Sequence, residues 1–295
     1  MRQKLIGIFF SFIIAPVVAG SQEVDTIQKL MVIGADNAEW SPNGNTLLFT
    51  ANFSGNWNIY ARDIKTGKVQ RLTSHANDDE TPVFSPDGKH ILYSSEIDGN
   101  SDIWIMNADG TKQQNITRNP ATDFHPTWHP NGKSILFNSN RDDTIGFAIF
   151  TMNVDGSNVK RLTSPSGFRT YATWSPDGTA ILFVKWAKVD GSDQLGRDIC
   201  IRDADGKNER HLTNNPFALN GWPNWSPDGK QVIFSSKLND IFQLFLINND
   251  GTGLKQLIKS PYDDRRAKWS KDGRRIAFDR SIPGVVTDIH IVSLK

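Results

Sequence analysis

Short apolar runs alternate with polar turn sequences along nearly the whole chain. Each repeat contains a strand with three consecutive apolar positions, a pattern typical of a strand covered on both faces. A second apolar strand follows after a loop, and a shorter polar strand with one or two apolar anchors comes next. The recurring apolar runs are residues 47–49, 91–93, 135–137, 181–183, 232–234 and 276–278.

A turn motif precedes each of these runs. It is an aromatic residue followed by Ser-Pro-Asp-Gly or a close variant, in which the Asp/Asn-Gly pair favours a tight hairpin. The aromatic recurs every 44 to 51 residues, and a period in this range indicates a repeat architecture. We expect these aromatics to be wedges between repeats rather than a row for sugar stacking: Trp40, Phe84, Trp128, Trp174, Trp225 and Trp269.

Each repeat predicts a four-stranded antiparallel sheet, and six sheets that are apolar on both faces can bury those faces by stacking in a ring. The sixth repeat ends after its third strand, near residue 292. A strand-like segment over residues 24–31 precedes the first repeat and resembles the fourth strands. The sequence therefore predicts an all-β, six-bladed β-propeller over residues 21–295, closed by the N-terminal strand in the last blade.

The first 20 residues have the layout of a secretory signal peptide. Arg2 and Lys4 precede an apolar run over residues 5–18, and small residues lead up to Ser21. The run is short for a membrane span, although an uncleaved anchor is the alternative. We therefore predict a signal peptide over residues 1–20, a periplasmic or secreted protein, and no membrane span after cleavage.

Charge and cysteine content narrow the function classes. The net charge is +1, and removal of the signal peptide would leave 31 Lys and Arg against 32 Asp and Glu. No basic stripe is present, so we expect no nucleic-acid partner. The single cysteine, Cys200, lies in a strand pattern and is predicted to be a packing residue. We also expect no cofactor and a monomeric protein.

The predicted binding surface is the end of the ring where the innermost strands begin. The turn motifs share the other end, whereas the connections at this end differ between blades, the longest being residues 185–197. Asp79 and Asp264 occupy equivalent repeat positions and could instead cap strands, His125 could bond to its neighbours, and Trp222 could pack under a loop. The predicted funnel residues are Asp36, Asp79, Glu80, Asp123, His125, Arg169, Tyr171, Asn220, Trp222, Asp264, Arg265 and Arg266.

Motifs for catalysis or metal binding are weak. The sequence contains no phosphate loop and no Gly-x-Ser-x-Gly elbow. His125 and His129 could begin a metal site, but ordinary strand histidines are the simpler interpretation. Residues 98–102 alternate oxygen ligands as calcium loops do, yet they lack the distal glutamate and fall where a turn is expected. We predict no metal site and assign no catalytic residue, and whether the protein is an enzyme stays open.

Segments such as residues 84–95 and 102–110 resemble the TolB-type propeller repeat, and the resemblance covers nearly all of residues 24–295. It implies a periplasmic propeller whose funnel accepts protein partners and peptide segments. About five residues separate the predicted cleavage site from the first strand, so we expect the propeller without that family's N-terminal α/β domain. Similar repeats occur in oligogalacturonate lyases and in prolyl oligopeptidase-like peptidases.

Two functions follow as hypotheses. The first is an exported binding or scaffold module that engages its partner through the channel mouth. We expect this partner to be a protein or peptide rather than an oligosaccharide. The alternative is a carbohydrate-active, lyase-like enzyme or a glycan-binding propeller. In that case the residues that act on or bind the sugar would be His125, Arg169, Tyr171 and Trp222.

Overall fold

A computed structural model describes residues 24–97, 99–142, 146–163, 167–188, 195–215, 218–282 and 287–295. Within these residues the chain forms six antiparallel sheets of four strands each. The predicted all-β, six-bladed propeller is therefore confirmed. The predicted signal peptide, residues 1–20, lies outside the described residues and stays a prediction. No helix in the described ranges is long and apolar enough to cross a bilayer.

The first five blades each contain four strands that are consecutive in the chain, and the inner strand comes first. The strands are β1 (Val24–Ile33), β2 (Ala35–Trp40), β3 (Thr46–Ala51), β4 (Asn58–Asp63), β5 (Val69–Arg71), β6 (Asp79–Phe84), β7 (His90–Ser95), β8 (Asp102–Asn107), β9 (Gln114–Asn115), β10 (Asp123–Trp128), β11 (Ser134–Ser139), β12 (Ala148–Asn153), β13 (Lys160–Arg161), β14 (Arg169–Trp174), β15 (Ala180–Lys188), β16 (Leu195–Asp203), β17 (Arg210–His211), β18 (Asn220–Trp225), β19 (Gln231–Leu238), β20 (Ile241–Asn248), β21 (Lys255–Gln256), β22 (Asp263–Trp269), β23 (Arg275–Ser281) and β24 (Thr287–Leu294). Blade one is β2–β5, blade two β6–β9, blade three β10–β13, blade four β14–β17 and blade five β18–β21. Blade six contains β22, β23, β24 and β1.

The two ends of the chain close the ring. Strand β1 is the outer strand of blade six and pairs with β24, so that Ile27 lies opposite Val292 and Lys29 opposite His290. The predicted closure by the N-terminal strand is therefore confirmed. Because a closed ring leaves no sheet face uncovered, the apolar faces of the first and last blades are both buried.

The core lies between neighbouring blades, where the predicted aromatic wedges pack. Trp40 of blade one contacts the cluster that contains Ala277 and Ile289 of blade six. Trp128 of blade three packs with Leu92 and Ile103 of blade two. The three-residue apolar runs are buried on both sides, as their composition predicts. Cys200 belongs to this core and is fully buried.

The turn motif is short because its side chains satisfy its own backbone. In blade five the Ser226 hydroxyl donates to Asp228 Oδ1 at 2.6 Å and accepts from the Gln231 amide at 2.9 Å. The Lys230 amide donates to the same Asp228 oxygen at 3.1 Å. These turns occupy one end of the ring, so the variable connections lie at the other end.

Two details differ from the sequence prediction. The fourth strands are shorter than the polar segments in the sequence, since blade three has only Lys160–Arg161. Residues 185–197 are not all connection, because β15 and β16 continue to pair from Lys185↔Asp198 to Lys188↔Leu195. Residues 189–194 lie outside the described residues.

Candidate functional site

A bulge interrupts the innermost strand of every blade. In blade one Asp36 pairs with Thr50 and Glu39 pairs with Leu48, so two residues of β2 lie opposite one residue of β3. The other five inner strands contain the same shift of register. A bulge re-aims a side chain that would otherwise follow the regular alternation of the strand.

The third residue before each aromatic wedge lies in this bulge and has left-handed backbone, with φ between 52° and 56°. For residues other than glycine this conformation costs about 1 kcal/mol or more. Because it recurs in all six blades whatever the side chain, it belongs to the fold. It brings one side chain from each blade to the channel, and we call this set the bulge ring: Asn37, Thr81, His125, Tyr171, Trp222 and Arg266.

The bulge ring lines an open recess at the channel mouth. A second tier lies below it and consists of Glu39, Val83, Thr127, Thr173 and Lys268. Within this tier Glu39 of blade one and Lys268 of blade six form an ion pair at 3.4 Å. Burial raises the pKa of Glu39, and Lys268 opposes the shift.

One side of the mouth is aromatic. The ring centroids of His125 and Tyr171 are 4.3 Å apart, those of Tyr171 and Trp222 are 5.6 Å apart, and Trp222 contacts Phe242 edge-on at 5.4 Å. Burial, assisted by the positive charge of Arg266, lowers the pKa of His125 to about 3. The imidazole is therefore neutral at neutral pH. Burial also raises the pKa of Tyr171, so this side presents uncharged rings.

The other side of the mouth is charged. Nη1 of Arg266 lies 3.1 Å from Asp36 and 3.2 Å from Asp279, and the Asn37 amide donates to Asp279 at 3.1 Å. Burial raises the pKa of Asp279 to about 7, although Arg266 favours its charged form. Burial also disfavours the charged form of Arg266, but Asp279 and Asp36 outweigh it and raise the pKa of the guanidinium.

More carboxylates lie next to this cluster. Burial raises the pKa of Glu80, and the like charges of Asp36 and Asp78 raise it further. The mouth is therefore polarised, with negative charge on blades one and two and aromatic rings on blades three to five. Such a surface favours ligands whose own charge is uneven.

The predicted funnel residues at the strand starts are held in contacts within the wall. Asp79 lies 3.1 Å from His75, Asp123 lies 2.7 Å from Arg141, and both carboxylates are fully buried. These contacts fit the alternative of strand-start capping. Burial raises the pKa of Asp123, and hydrogen bonds from Ser139 and Arg141 oppose this shift.

Three further predicted residues also lie at the starts of inner strands. Two bonds at 2.7 and 2.8 Å join Arg280 to buried Asp264. Asn220 donates to the Thr213 hydroxyl at 3.1 Å. Arg169 is buried, and its carbonyl accepts a bond from Asn138 at 2.8 Å. None of these three is among the residues that line the described recess.

The remaining predicted residues divide between the recess and its rim. His125, Tyr171, Trp222 and Arg266 are brought together in the recess. Asp36, Glu80 and Arg265 lie one position before the bulge, on the rim, and Arg265 lies over Phe242 with its Cζ 4.3 Å from the ring centroid.

The residues of the two possible metal motifs either lie apart from each other or form hydrogen bonds with other residues. His125 lies in the bulge of β10, whereas His129 lies in the turn beyond that strand and accepts a bond from the Asn131 amide at 3.1 Å. Asp102 accepts bonds from Asn115 and Thr117 at 2.8 and 2.9 Å. Asp98 lies outside the described residues.

Sequence reasoning missed Arg197 and Asp279. Arg197 lies near Tyr171 and Trp222, and it was considered only as the end of a connection. A usable signal was Gly221, which leaves the rim of blade five without a side chain. Asp279 follows the apolar run of β23 and lies beneath Arg266.

Fold and site define a six-bladed propeller with a recess at one channel mouth. The profile of the TolB beta propeller domain, PD40, matches residues 39–218. The chain therefore belongs to this family.

Solved structures agree in fold. A TolB-like protein from Agrobacterium tumefaciens aligns over 89% of this chain and 91% of its own, with 22% identity and a TM-score of 0.68. An oligogalacturonate lyase in complex with manganese aligns over 93% and 95%, with 14% identity and a TM-score of 0.65. At these identities the likeness concerns the fold alone.

Curated relatives match a short part of the chain. Dipeptidyl-peptidase 5 from Porphyromonas endodontalis is 37% identical over 75 residues, which are 23% of this chain and 10% of that protein. The chain thus spans about a tenth of the length of the curated relatives it matches.

Proposed function

We propose that the protein is an exported propeller that binds a protein or peptide partner at the channel mouth. The observation that carries the proposal is the bulge ring, in which one fold position presents six different side chains to a single recess. Positions that serve only the fold are alike in all blades, as the turn motif and the aromatic wedges are. A varied ring on an otherwise regular scaffold is typical of a recognition surface.

The position and chemistry of the recess suit an extended segment of a partner. The recess opens to solvent at the channel mouth, so a segment of a partner could enter it from that end. The half-buried rings of Tyr171 and Trp222 offer apolar contact, while Asn37 and Thr81 offer polar groups. Aromatic anchors of this kind carry most of the binding energy in many interfaces.

The test compares capture by the mature protein, residues 21–295, with capture by two variants. Tyr171→Ala combined with Trp222→Ala changes the mouth, and Lys133→Ala changes an exposed turn at the other end of the ring. We expect an envelope protein to be retained by the wild type and by Lys133→Ala but not by the mouth variant. Direct titration of the purified partner must reproduce the order. Equal retention by all three proteins would contradict the proposal.

Export is the second part of the proposal and has its own test. The mature N-terminus of protein expressed with residues 1–20 is determined by mass spectrometry of periplasmic, membrane and cytoplasmic fractions. We expect a soluble periplasmic or secreted form beginning near Ser21. A full-length chain that remains in the membrane fraction would indicate an anchor instead.

Binding or cleavage of an acidic polysaccharide is the second candidate. The observation in its favour is the contact between His125 and Tyr171 within the recess, where a proton could be moved next to a bound sugar. Incubation with polygalacturonate and measurement of unsaturated products tests this activity. Product formation that His125→Gln and Tyr171→Phe abolish would favour a lyase over the binding module.

A further inference from the structure

Two arginines from different blades meet on the aromatic side of the mouth. Arg197 comes from β16 in blade four and Arg265 from β22 in blade six. Cζ of Arg197 lies 6.0 Å from the ring centroid of Trp222 and 5.8 Å from that of Phe242. Cζ of Arg265 lies 5.7 and 4.3 Å from the same centroids. Two positive charges therefore converge beside one pair of rings.

The positive charge of this pair is only partly compensated. Arg265 has an ion pair with Asp263 at 3.2 Å. Among the described residues, no carboxylate lies within ion-pair distance of Arg197. Nε of each arginine is buried without a hydrogen-bond partner in that part of the chain. Burial and the neighbouring charge of Arg265 lower the pKa of Arg197. An anion placed between the two groups would supply the missing counter-charge.

The local backbone gives Arg197 its place at the mouth. The Arg197 amide donates to the Ala218 carbonyl at 2.9 Å, which fixes β16 against the segment that leads into blade five. Gly221 occupies the rim position at which four of the other blades carry Asp36, Glu80, Phe124 and Arg265. A Cβ added to Gly221 would lie 3.9 Å from Nη1 of Arg197. The guanidinium thus occupies the space beside a residue without a side chain.

We infer that Arg197 and Arg265 form a subsite for one carboxylate of a bound peptide, supplied by an acidic side chain or by a C-terminus. The inference rests on the proposed function and specifies the partner's chemistry. Two guanidinium forks can donate several charge-assisted hydrogen bonds to one carboxylate. The rings of Trp186, Trp222 and Phe242 surround the subsite and would contact the apolar part of the same residue or its neighbour.

The rest of the mouth favours a peptide over an acidic polysaccharide. Asp36, Asp78 and Glu80 gather on the opposite side of the recess. A polyuronate carries a negative charge on every sugar, so its further carboxylates would meet these acidic side chains and be repelled. A peptide can place one acidic group at Arg197 and Arg265 and present neutral or basic groups to the acidic side.

The experiment uses a phage-displayed library of seven-residue peptides selected on the mature protein. We expect the selected sequences to be enriched in Asp or Glu at one position, or to end in a free C-terminus at the site. The strongest peptide is then synthesised together with its Gln or amidated counterpart, and both are titrated. The wild type should prefer the acidic form by about tenfold.

Variants assign that preference to the arginines. Arg197→Gln and Arg265→Gln should each bind the acidic and neutral forms almost equally, and Arg197→Lys should keep part of the preference. Arg275→Gln is the matched control, because Arg275 lies over Trp40 in the same kind of contact at the turn end of the ring, with Cζ 4.5 Å from the centroid. It should keep the full tenfold preference. Thermal unfolding of each variant shows that it is folded.

The outcomes separate this inference from the proposed function. One outcome is that peptides bind the wild type and fail to bind Trp222→Ala but show no preference for the acidic form. This outcome overturns the arginine subsite and leaves the proposed binding module supported. An acidic preference that survives both Gln variants also overturns the subsite. If the selection yields no peptide whose binding depends on Trp222, both the arginine subsite and the binding module are overturned. Both are also overturned if oligogalacturonate outcompetes every selected peptide.

Discussion

The ammonium group of Lys29 lies 2.5 Å from a carboxylate oxygen of Asp288, and this ion pair joins the first strand of the described chain to the last. Asp288 is fully buried, whereas the Lys29 side chain is 40% exposed. Antiparallel pairing of β1 with β24 surrounds the contact. The two ends of the sequence therefore hold the ring closed by backbone pairing and by a charge interaction together.

Removal of β1 should open the ring. A chain that begins at residue 34 leaves the outer edge of β24 unpaired and uncovers part of blade six, so we expect it to lose more than about 4 kcal/mol relative to a chain that begins at residue 21. Urea unfolding measures the difference. Equal midpoints for the two chains would show that the closing strand is dispensable.

The ion pair itself should contribute a smaller amount. Lys29→Met leaves the buried Asp288 carboxylate without its ammonium partner, and we expect a loss of about 1 to 3 kcal/mol, between the values for exposed and buried pairs. Lys207→Met is the control, because Lys207 and Asp205 are 3.0 Å apart but both largely exposed. The stability of this variant should hardly change, because solvent screens a fully exposed pair. A similar loss in both variants would contradict the role of burial.

The aromatic wedges should not respond alike to replacement by phenylalanine. The indole N–H of Trp40 donates to the Lys268 carbonyl at 3.2 Å, and that of Trp128 donates to the Val83 carbonyl at 3.3 Å. The indole N–H groups of Trp225 and Trp269 are buried without a partner in the described part of the chain. Trp40→Phe and Trp128→Phe should therefore cost about 1 to 2 kcal/mol more than the same change at the other two positions.

Urea unfolding of the four variants checks this order under one set of conditions. All four remove the same volume from an inter-blade core, so the cavity contribution is matched between them. Losses that fall in the same range at all four positions would mean that these hydrogen bonds contribute nothing to the difference.

The blade count and the ring closure were predictable because their signals are local. The turn motif satisfies its own backbone within six residues, as Ser226 and Asp228 do, so each copy predicts a hairpin without reference to the rest of the chain. The missing fourth strand of the last repeat and the extra strand before the first one then leave a single way to complete blade six.

The chemistry of the mouth was less predictable, because it depends on partners that are distant in the sequence. Asp264 could have faced the channel, but Arg280, sixteen residues later, binds it within the wall. Arg197 lies at the mouth beside Gly221 of the next blade, and a pattern of residue types in one blade does not contain that relationship. The left-handed bulge that selects the ring residues also leaves no composition signal, since it holds Thr81 and Trp222 alike.

Cys200 should be unreactive in the folded protein. It is fully buried between blades, and burial raises the pKa of its thiol to about 12. The thiolate is the reactive form, so labelling by iodoacetamide in native buffer should be at least about a hundredfold slower than in urea. Because the chain has one cysteine, mass spectrometry reads the labelling directly. Rapid and complete labelling of the native protein would show that this inter-blade core opens locally.

Stability should depend on pH through Asp279. Burial raises its pKa from 3.8 to about 7, so between these values the folded state holds a proton that the unfolded state has released. The folded state then binds more protons than the unfolded state, and this carboxyl makes the protein less stable as the pH rises through that window. Asp279→Asn cannot ionise and should escape the loss. We therefore expect the stability of Asp279→Asn relative to the wild type to increase by on the order of 2 to 4 kcal/mol from about pH 4 to about pH 8.

Asp272 provides a control of opposite sign in the same blade. A bond from the Ser270 hydroxyl and one from the Arg274 amide lower the pKa of Asp272, although partial burial opposes them. Its contribution is therefore fully present above the usual pKa and is lost only in acid, so Asp272→Asn should differ from the wild type by a constant amount above about pH 5. Urea unfolding of the three proteins at several pH values measures both trends. A flat difference for Asp279→Asn over the same range would mean that Arg266 keeps the buried carboxylate ionised and that the network at the mouth carries no proton near neutral pH.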